Sequence, residues 1–249
     1  MLLTVLGNCG PYPAAGAGTS GYLVRQAHTA VLLECGCGVV PQLLQQMPAE
    51  QLDAVVLTHL HWDHISDFMM LATTCQFLQM KNMWPEQKKI DVWMQEEPAD
   101  LAALVRNAPG ASCFRFQTIR TGKTVSVGVL QLTFTPARHP IPCAGVRVYA
   151  EGTTLYYTGD TNVMPQLEDA SRGADVILAD CGLPQENWTM QAPHLSAVAC
   201  GQLAKDSGAK MLLLGHLPPY VQPETLLAQA RSVFDAAQLT QIAATYRIE

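Results

Sequence analysis

The sequence is poor in charge, and the charge that it carries is dispersed. Only 14% of its 249 residues are charged, and its 15 lysines and arginines leave a net charge of −6. The nearest approach to a basic cluster runs from Lys81 to Lys89 and is interrupted by Glu86. Because tight binding of long RNA or DNA needs a concentrated basic face, we expect no long nucleic acid as a partner.

Long apolar runs are missing as well. No stretch approaches the roughly 18 apolar residues of a membrane span, so we expect no membrane partner. The apolar start ends at Gly7 and lacks a basic region, which favours a first strand over a signal peptide. The eight cysteines include no C-x-x-C pair. We therefore expect reduced thiols in a cytoplasmic protein.

Apolar residues are nevertheless plentiful, at 49% of the chain, which is ample for a packed core. They occur as short runs separated by Gly, Pro and Asp, a pattern that predicts many strands between a few helices. We expect one α/β domain over residues 1–249, with mixed sheets. The predicted helices are Val40–Gln46, Asp67–Met80, Ala99–Arg106, Met164–Ala170, Ser196–Ser207 and Pro223–Phe234.

Five of the apolar runs end, within a few residues, in a side chain that can bind a metal. A buried strand does not hold a charged group in its middle, but its tip can. Five such tips at one rim of a sheet would form a polar pocket above an apolar core, a common ligand site in α/β folds. The five residues are His59, His139, Asp160, Asp180 and His216.

The densest group of candidate ligands lies in "LTHLHWDHISD", from Leu57 to Asp67. His59, His61, Asp63 and His64 form the pattern H-x-H-x-D-H directly after an apolar run. His59 and His61 share a face if the strand continues, and the next turn can bring Asp63 and His64 to the same space. Imidazole nitrogens and carboxylate oxygens are the ligands that zinc accepts. The alternative, a surface turn with incidental histidines, requires four ligand-type residues to coincide.

Together with His139, Asp160 and His216, this motif supplies seven candidate ligands, more than one metal needs. Seven ligands suit two divalent ions about 3.5–4 Å apart, with Asp160 as the natural bridge. Such ions lower the pKa of a bound water towards about 7 and so provide hydroxide for hydrolysis. Zinc, manganese and iron all accept histidine and carboxylate ligands.

These motifs resemble the metallo-β-lactamase-fold hydrolases over nearly the whole chain. The resemblance implies an α/β fold, an αββα sandwich of two mixed β-sheets flanked by helices, with metals at one edge of the sheets. It implies that His59, His61 and His139 hold one ion and that Asp63, His64 and His216 hold the other, with Asp160 between them.

Further segments resemble the ribonuclease Z-like, phosphodiesterase-like branch of these hydrolases. In "APHLSAVACGQLAKDSGAKMLLLGHLPP", His194 opens a helix, and in "ADVILADCG" Asp180 stands where tRNA-processing members usually carry Glu. "LLECGCG" is similar to the branch's "DCG" segment, with Glu34 for Asp. A histidine backed by a carboxylate can act as a general acid or stabilise an oxyanion. The alternative for His194 is a capping or core histidine. Asp63 is either a ligand alone or also a base.

The resemblance also has limits, which bear on the substrate. The segment from Pro140 to Tyr149 is short, and the long basic arm with which tRNA-processing members grip tRNA is absent. We therefore expect a phosphodiesterase that attacks a small substrate, such as a cyclic nucleotide or short oligonucleotide, with a metal-bound hydroxide. The alternatives are a lactonase or thioesterase using the same site, a tRNA 3′-processing endonuclease, and a metal-binding protein without turnover.

Two aromatic or Met-rich segments have no assigned role. Met80, Met83 and Trp84 follow the ligand motif and either line a substrate pocket, form a dimer face or pack on their own core. Members of the branch are commonly homodimers through this region, so we expect a homodimer. Tyr220, four residues after His216, can stack on a base or simply close a turn.

Overall fold

The apolar runs form two β-sheets of seven strands each. A computed structural model describes all residues from Met1 to Glu249. The strands of the first sheet are β1 (Leu2–Gly7), β2 (Gly21–Gln26), β3 (Thr29–Leu33), β4 (Ala54–Val56), β5 (Ile90–Met94), β6 (Phe114–Thr118) and β14 (Thr245–Arg247). Those of the second sheet are β7 (Thr124–Val127), β8 (Leu130–Pro136), β9 (Ala144–Ala150), β10 (Thr153–Tyr157), β11 (Val176–Asp180), β12 (Met211–Gly215) and β13 (Ala237–Leu239).

Both sheets are mixed. In the first, the order is β14-β1-β2-β3-β4-β5-β6, with antiparallel pairing up to β3 and parallel pairing from β3 to β6. In the second, the order is β13-β12-β11-β10-β9-β8-β7, with parallel pairing from β13 to β10 and antiparallel pairing beyond. The expected mixed sheets are thus confirmed.

Strands buried on both faces explain the continuous apolar runs. Alternate side chains of a strand point to opposite faces. In β11, Leu178 belongs to a cluster of 24 buried residues between the two sheets, whereas Ile177 belongs to a cluster of 18 on the outer face. In β3, Val31 faces the same inter-sheet cluster and Leu32 faces a cluster of 27 residues on the outer face of the first sheet.

Helices cover the two outer faces and complete an αββα sandwich. Residues of α1, α3 and α4 pack on the first sheet, and residues of α5, α6 and α7 pack on the second. None of the helices combines the length and apolar character that a membrane span requires. The helices are α1 (Val39–Gln46), α2 (Trp62–Ile65), α3 (Phe68–Met80), α4 (Ala99–Arg106), α5 (Pro165–Ser171), α6 (Ala197–Ser207) and α7 (Pro223–Arg231).

Local sequence signals set the ends of α6. The Ser196 hydroxyl accepts a hydrogen bond of 3.1 Å from the Ala199 amide, which satisfies one free donor at the helix start. Gly208 ends the helix with a φ of 74°, a conformation that glycine adopts without steric cost. The predicted C-terminal end of α7, at Phe234, is three residues too long, because the helix ends at Arg231.

Strand direction gathers the candidate ligands at one edge. β8, β10, β11 and β12 all run the same way in the second sheet, so their carboxyl ends lie at the same edge. Asp180 is the last residue of β11, and His139, Asp160 and His216 come beyond the ends of the other three strands, while His59 follows β4 of the facing sheet. Ligand sites of α/β folds commonly lie at the carboxyl ends of strands.

Candidate metal centre

Six of the seven histidines converge at the carboxyl edge of the sandwich; the seventh, His28, is exposed elsewhere. The first group is His59, His61 and His139. His61 Nδ1 lies 3.1 Å from His59 Nε2 and 3.1 Å from His139 Nε2, so three ring nitrogens from two loops point at one another. Burial lowers the pKa of all three imidazoles and favours the neutral form that binds metals.

The second group is Asp63, His64 and His216. Helix α2 starts within the ligand motif and carries Asp63 and His64 on its single turn. Asp63 Oδ2 lies 3.4 Å from His64 Nε2 and 3.2 Å from His216 Nε2. Burial alone lowers the pKa of His64 and His216, but the charge of Asp160 and of other carboxylates outweighs it, and both pKa values are raised. The carboxylates thus stabilise positive charge at this position.

Asp160 lies between the two groups. Its Oδ2 is 3.7 Å from His59 Nε2, 3.4 Å from His64 Nε2 and 3.2 Å from His216 Nε2. Burial raises the pKa of Asp160, but the charges of His216, His64 and His59 lower it well below its usual range. The carboxylate is therefore ionised and faces nitrogens of both groups.

The polar atoms of this edge fit divalent cations. Both ring nitrogens of His64 and Asp160 Oδ1 are buried without a hydrogen-bond partner, which is costly unless a bound ion satisfies them. Each ion pair of Asp63 and Asp160 is with a histidine, and no lysine or arginine neutralises them. Buried carboxylates facing imidazole nitrogens are the donor set that zinc, manganese and iron accept.

His194 and Asp180 form a further pair that adjoins Asp160 and His216. His194 Nδ1 donates a hydrogen bond of 2.9 Å to Asp180 Oδ2, and its ring stacks on that of His216 with centroids 4.7 Å apart. Burial lowers the pKa of His194, but the charge of Asp180 and this hydrogen bond outweigh it, so the pKa is raised. Because Nδ1 is engaged, Nε2 is the nitrogen free to meet a substrate.

Asp180 is itself fixed by the backbone. Its Oδ2 accepts a hydrogen bond of 3.0 Å from the Thr161 amide, and its Oδ1 accepts one of 3.0 Å from the Gly182 amide. The side chain is 1% exposed, at the tip of β11. The predicted partnership of Asp180 with His194 therefore has a rigid geometric basis.

Glu34 is a site residue that the metal motif alone did not reveal. It is fully buried, accepts hydrogen bonds from the Thr58 amide (3.1 Å) and from the Thr58 hydroxyl, and lies 3.4 Å from His64 Nδ1. Its φ of 65° is in the left-handed region, which costs energy for a residue with a side chain. The only signal for it in the sequence was the "LLECGCG" segment.

The glycine-rich opening segment approaches the second group closely. A Cβ atom at Gly10 would overlap the ring of His216. His216 itself has a φ of 52°, again in the left-handed region. The loop after β1 therefore requires glycine at this position, because the backbone lies directly against a candidate ligand.

Two exposed aromatic residues are close in sequence to the candidate ligands. Trp62, between His61 and Asp63, is 58% exposed, and Tyr220 is 61% exposed. Met80 and Met83 are also exposed, whereas Trp84 packs partly on the core and donates to the Lys88 carbonyl.

Comparisons with known proteins agree with this geometry. Residues 29–217 match the family model described as "Beta-lactamase superfamily domain". The "Probable metallo-hydrolase YhfI" of Bacillus subtilis is 30% identical over 241 residues, which cover 94% of each chain. The "Ribonuclease Z" of Methanopyrus kandleri is 24% identical over 262 residues, covering 94% of this chain and 93% of that one.

The crystal structure of YhfI from Bacillus subtilis, titled a metallo-beta-lactamase fold protein, superposes with a TM-score of 0.88. It is 27% identical in sequence and covers 99% of both chains. The family model, the sequence relatives and the fold all indicate the same family. The chain therefore belongs to the beta-lactamase superfamily, as a metallo-hydrolase of the metallo-β-lactamase fold.

Proposed function

We propose that the chain is a dinuclear metal-dependent phosphodiesterase that cleaves a small phosphodiester, such as a cyclic nucleotide or short oligonucleotide. One ion would be held by His59, His61 and His139, the other by Asp63, His64 and His216, with Asp160 shared. When bound, the ions supply Lewis acidity and activate water. Zinc is the first candidate, and manganese and iron suit the same donors.

The observation that carries the proposal is the His194–Asp180 pair. Cleavage of a phosphodiester leaves an alkoxide, which needs a proton or a compensating charge. Asp180 holds His194 by Nδ1 at 2.9 Å and leaves Nε2 to deliver a proton to the departing oxygen. The pair adjoins Asp160 and His216, with which it could also help to hold a metal. Because the two ions already have their ligands in the two groups of three, we assign the pair to proton delivery.

Asp63 has two roles open to it. Its Oδ2 is within 3.4 Å of both His64 Nε2 and His216 Nε2, which favours a ligand role at the second ion. A carboxylate in that position can also accept a proton from the attacking water. We assign Asp63 the ligand role and propose the base role for the same side chain.

A nucleotide is favoured within the small phosphodiesters by the exposed aromatic residues. An aromatic side chain exposed beside a candidate site offers a flat surface on which a base can stack. Trp62 lies next to two candidate ligands in sequence, and Tyr220 lies four residues beyond His216. Either ring can stack on a nucleobase, a contact that contributes about 1–3 kcal/mol per base.

The similarity to a ribonuclease Z supports phosphodiester chemistry, but two features argue against a tRNA substrate. The chain has a net charge of −6, and the loop between β8 and β9 spans only residues 137–143. Hydrolysis of a carbon ester is the second candidate, because the same centre would serve a lactonase or thioesterase without His194.

The test is the substitution His194→Ala. Turnover of cyclic nucleotides, whose leaving ribose oxygen needs a proton, should fall about 10²–10⁴-fold, since the general acid is lost. Metal content should stay at the wild-type level. The matched control is His28→Ala, which removes the exposed histidine outside the centre and should change neither quantity. Full phosphodiester turnover by His194→Ala would favour the carbon-ester alternative.

We also propose a homodimer through the exposed side of α3. Met70 and Phe77 are 53% and 55% exposed on this helix, and Met80 at its end is 67% exposed. A contiguous apolar surface of this kind marks an association site. Phe77→Glu should turn a dimer into a monomer in light scattering, whereas a monomeric wild-type chain would refute the dimer.

A further inference from the structure

A loop that the metal motif does not include lies directly against the first histidine group. We call residues 188–193, which precede His194, the strap. His139 Nδ1 lies 3.1 Å from the Pro193 carbonyl oxygen. A carbonyl can only accept, so Nδ1 carries the proton and Nε2, which faces His61, is the nitrogen left for a metal. The strap therefore selects the tautomer of His139.

The strap is held in place by one buried amide, that of Asn162. Its Nδ2 donates to the carbonyls of Thr189 (3.0 Å) and Ala192 (2.7 Å). Its Oδ1 accepts from Trp188 Nε1 (3.0 Å) and from the Val163 amide (2.7 Å). All four hydrogen-bonding positions of the amide are used, and the side chain is 0% exposed.

The chemistry of these partners fixes which way the amide points. Trp188 Nε1 and the Val163 amide can only donate, and the two strap carbonyls can only accept. An amide turned the other way would face donors with its NH₂ and carbonyls with its oxygen. Asparagine is thus the one side chain of this shape and size that satisfies all four partners.

A second, exposed side chain reinforces the attachment. The Arg138 guanidinium donates to the carbonyls of Met190, within the strap, and Val163. Arg138 precedes His139, and Asn162 lies two residues after Asp160. The strap is therefore tied to two of the loops that carry candidate ligands of the first ion, those of His139 and Asp160.

We propose that Asn162 is a positioning residue, which holds the strap so that the Pro193 carbonyl keeps His139 Nε2 directed at the first ion. This inference rests on the metal centre proposed above, but not on which ester is cleaved. Partners that orient a ligating histidine typically contribute 10–100-fold to metal affinity. The effect should be largest at the His59–His61–His139 position, because the strap contacts His139 directly and reaches His216 only through His194.

The test is Zn²⁺ binding to the metal-free chain in competition with a chromophoric chelator. Wild type should bind two equivalents. Asn162→Asp keeps the shape but turns an oxygen towards two carbonyls, so one equivalent should bind about 10–100-fold more weakly while the other weakens much less. Asn187→Asp is the matched control, since Asn187 is exposed in the same loop and should retain both affinities.

A double variant separates positioning from general destabilisation. In the His139→Ala background the ligand that the strap orients is gone, so adding Asn162→Asp should change the affinity of the remaining equivalent less than twofold. If Asn162→Asp lost zinc affinity to a comparable degree at both equivalents, or lost none at either, the proposal would be overturned. Wild type that binds no zinc would refute the metal centre itself.

A surface variant covers the case in which Asn162→Asp does not fold. Arg138→Gln removes the exposed anchor of the strap and should weaken the same single equivalent, by less than tenfold. If Arg138→Gln left both equivalents at wild-type affinity when Asn162→Asp could not be purified, the proposal would be wrong.

Discussion

Replacing Asp180 with asparagine should impair proton delivery by His194 more than it weakens metal binding, although Asp180 Oδ1 also lies 3.5 Å from His216 Nδ1. Oδ1 of the carboxylate accepts a hydrogen bond from the Gly182 amide. Oδ2 accepts hydrogen bonds from the Thr161 amide and from His194 Nδ1. Asparagine offers one oxygen and one NH₂ group. Whichever way the amide turns, its NH₂ faces a backbone donor, and in one orientation it also faces His194 Nδ1. The variant therefore cannot reproduce the wild-type contacts.

The size of the effect follows from the role of His194. Without the carboxylate, the protonated imidazole loses its partner charge and the Nδ1–H form is no longer enforced. General acid catalysis contributes about 10²–10⁴-fold, so kcat should fall by that factor, equivalent to about 3–5 kcal/mol of transition-state stabilisation. KM should change little, because Asp180 lies behind His194.

The assay is steady-state hydrolysis of a cyclic nucleotide, whose leaving ribose oxygen needs a proton, by zinc-loaded protein, with metal content measured on the same samples. The control is Asp169→Asn, the same substitution at an exposed carboxylate of α5. Asp180→Asn with two equivalents of metal and more than half of the wild-type kcat would refute the proton-delivery role. Loss of metal in step with activity would show Asp180 to be a metal-positioning residue instead.

Three further substitutions test other parts of the structure. Glu34→Gln removes the charge 3.4 Å from His64 Nδ1 and should weaken one zinc equivalent about 10–100-fold in chelator competition; unchanged binding would contradict the orienting role. Trp62→Ala should raise KM for a cyclic nucleotide about fivefold to 150-fold with little change in kcat if the indole stacks on the base, and an unchanged KM would exclude stacking. Asp175→Asn tests stability away from the centre. Burial raises the pKa of Asp175, but hydrogen bonds from Lys210 and the Thr154 amide outweigh burial, so the pKa is lowered. The ionised carboxylate therefore stabilises the fold at neutral pH, and this stabilisation is lost as the pH falls. The variant should unfold about 1 kcal/mol more easily at pH 7 in urea, with the difference narrowing below about pH 4, whereas a constant difference would contradict the charge argument.

Much of the fold and of the site could be predicted from the sequence because both depend on local patterns. Strands that are buried on both faces read as continuous apolar runs, and polar side chains such as His59 and Asp160 can follow only at their tips. The H-x-H-x-D-H spacing and the helix start at Ser196 are likewise local signals.

The features that escaped prediction depend on contacts between distant parts of the chain. Strands β13 and β14 have three residues each, too few for a periodic pattern, and β14 forms only by pairing with β1. The amide of Asn162 meets carbonyls 27 and 30 residues away, which no spacing rule anticipates. Helix α2 was expected as a turn, because four residues are too few to show helical periodicity.

The central claim is that distant imidazoles and carboxylates gather around two cations. The most direct measurement is a titration of the metal-free chain with Zn²⁺, followed by calorimetry, for wild type and for His139→Ala and His216→Ala. Wild type should bind two equivalents, and each variant should bind one equivalent strongly. A folded wild-type chain that binds fewer than one equivalent, or variants that both retain two, would contradict the central claim.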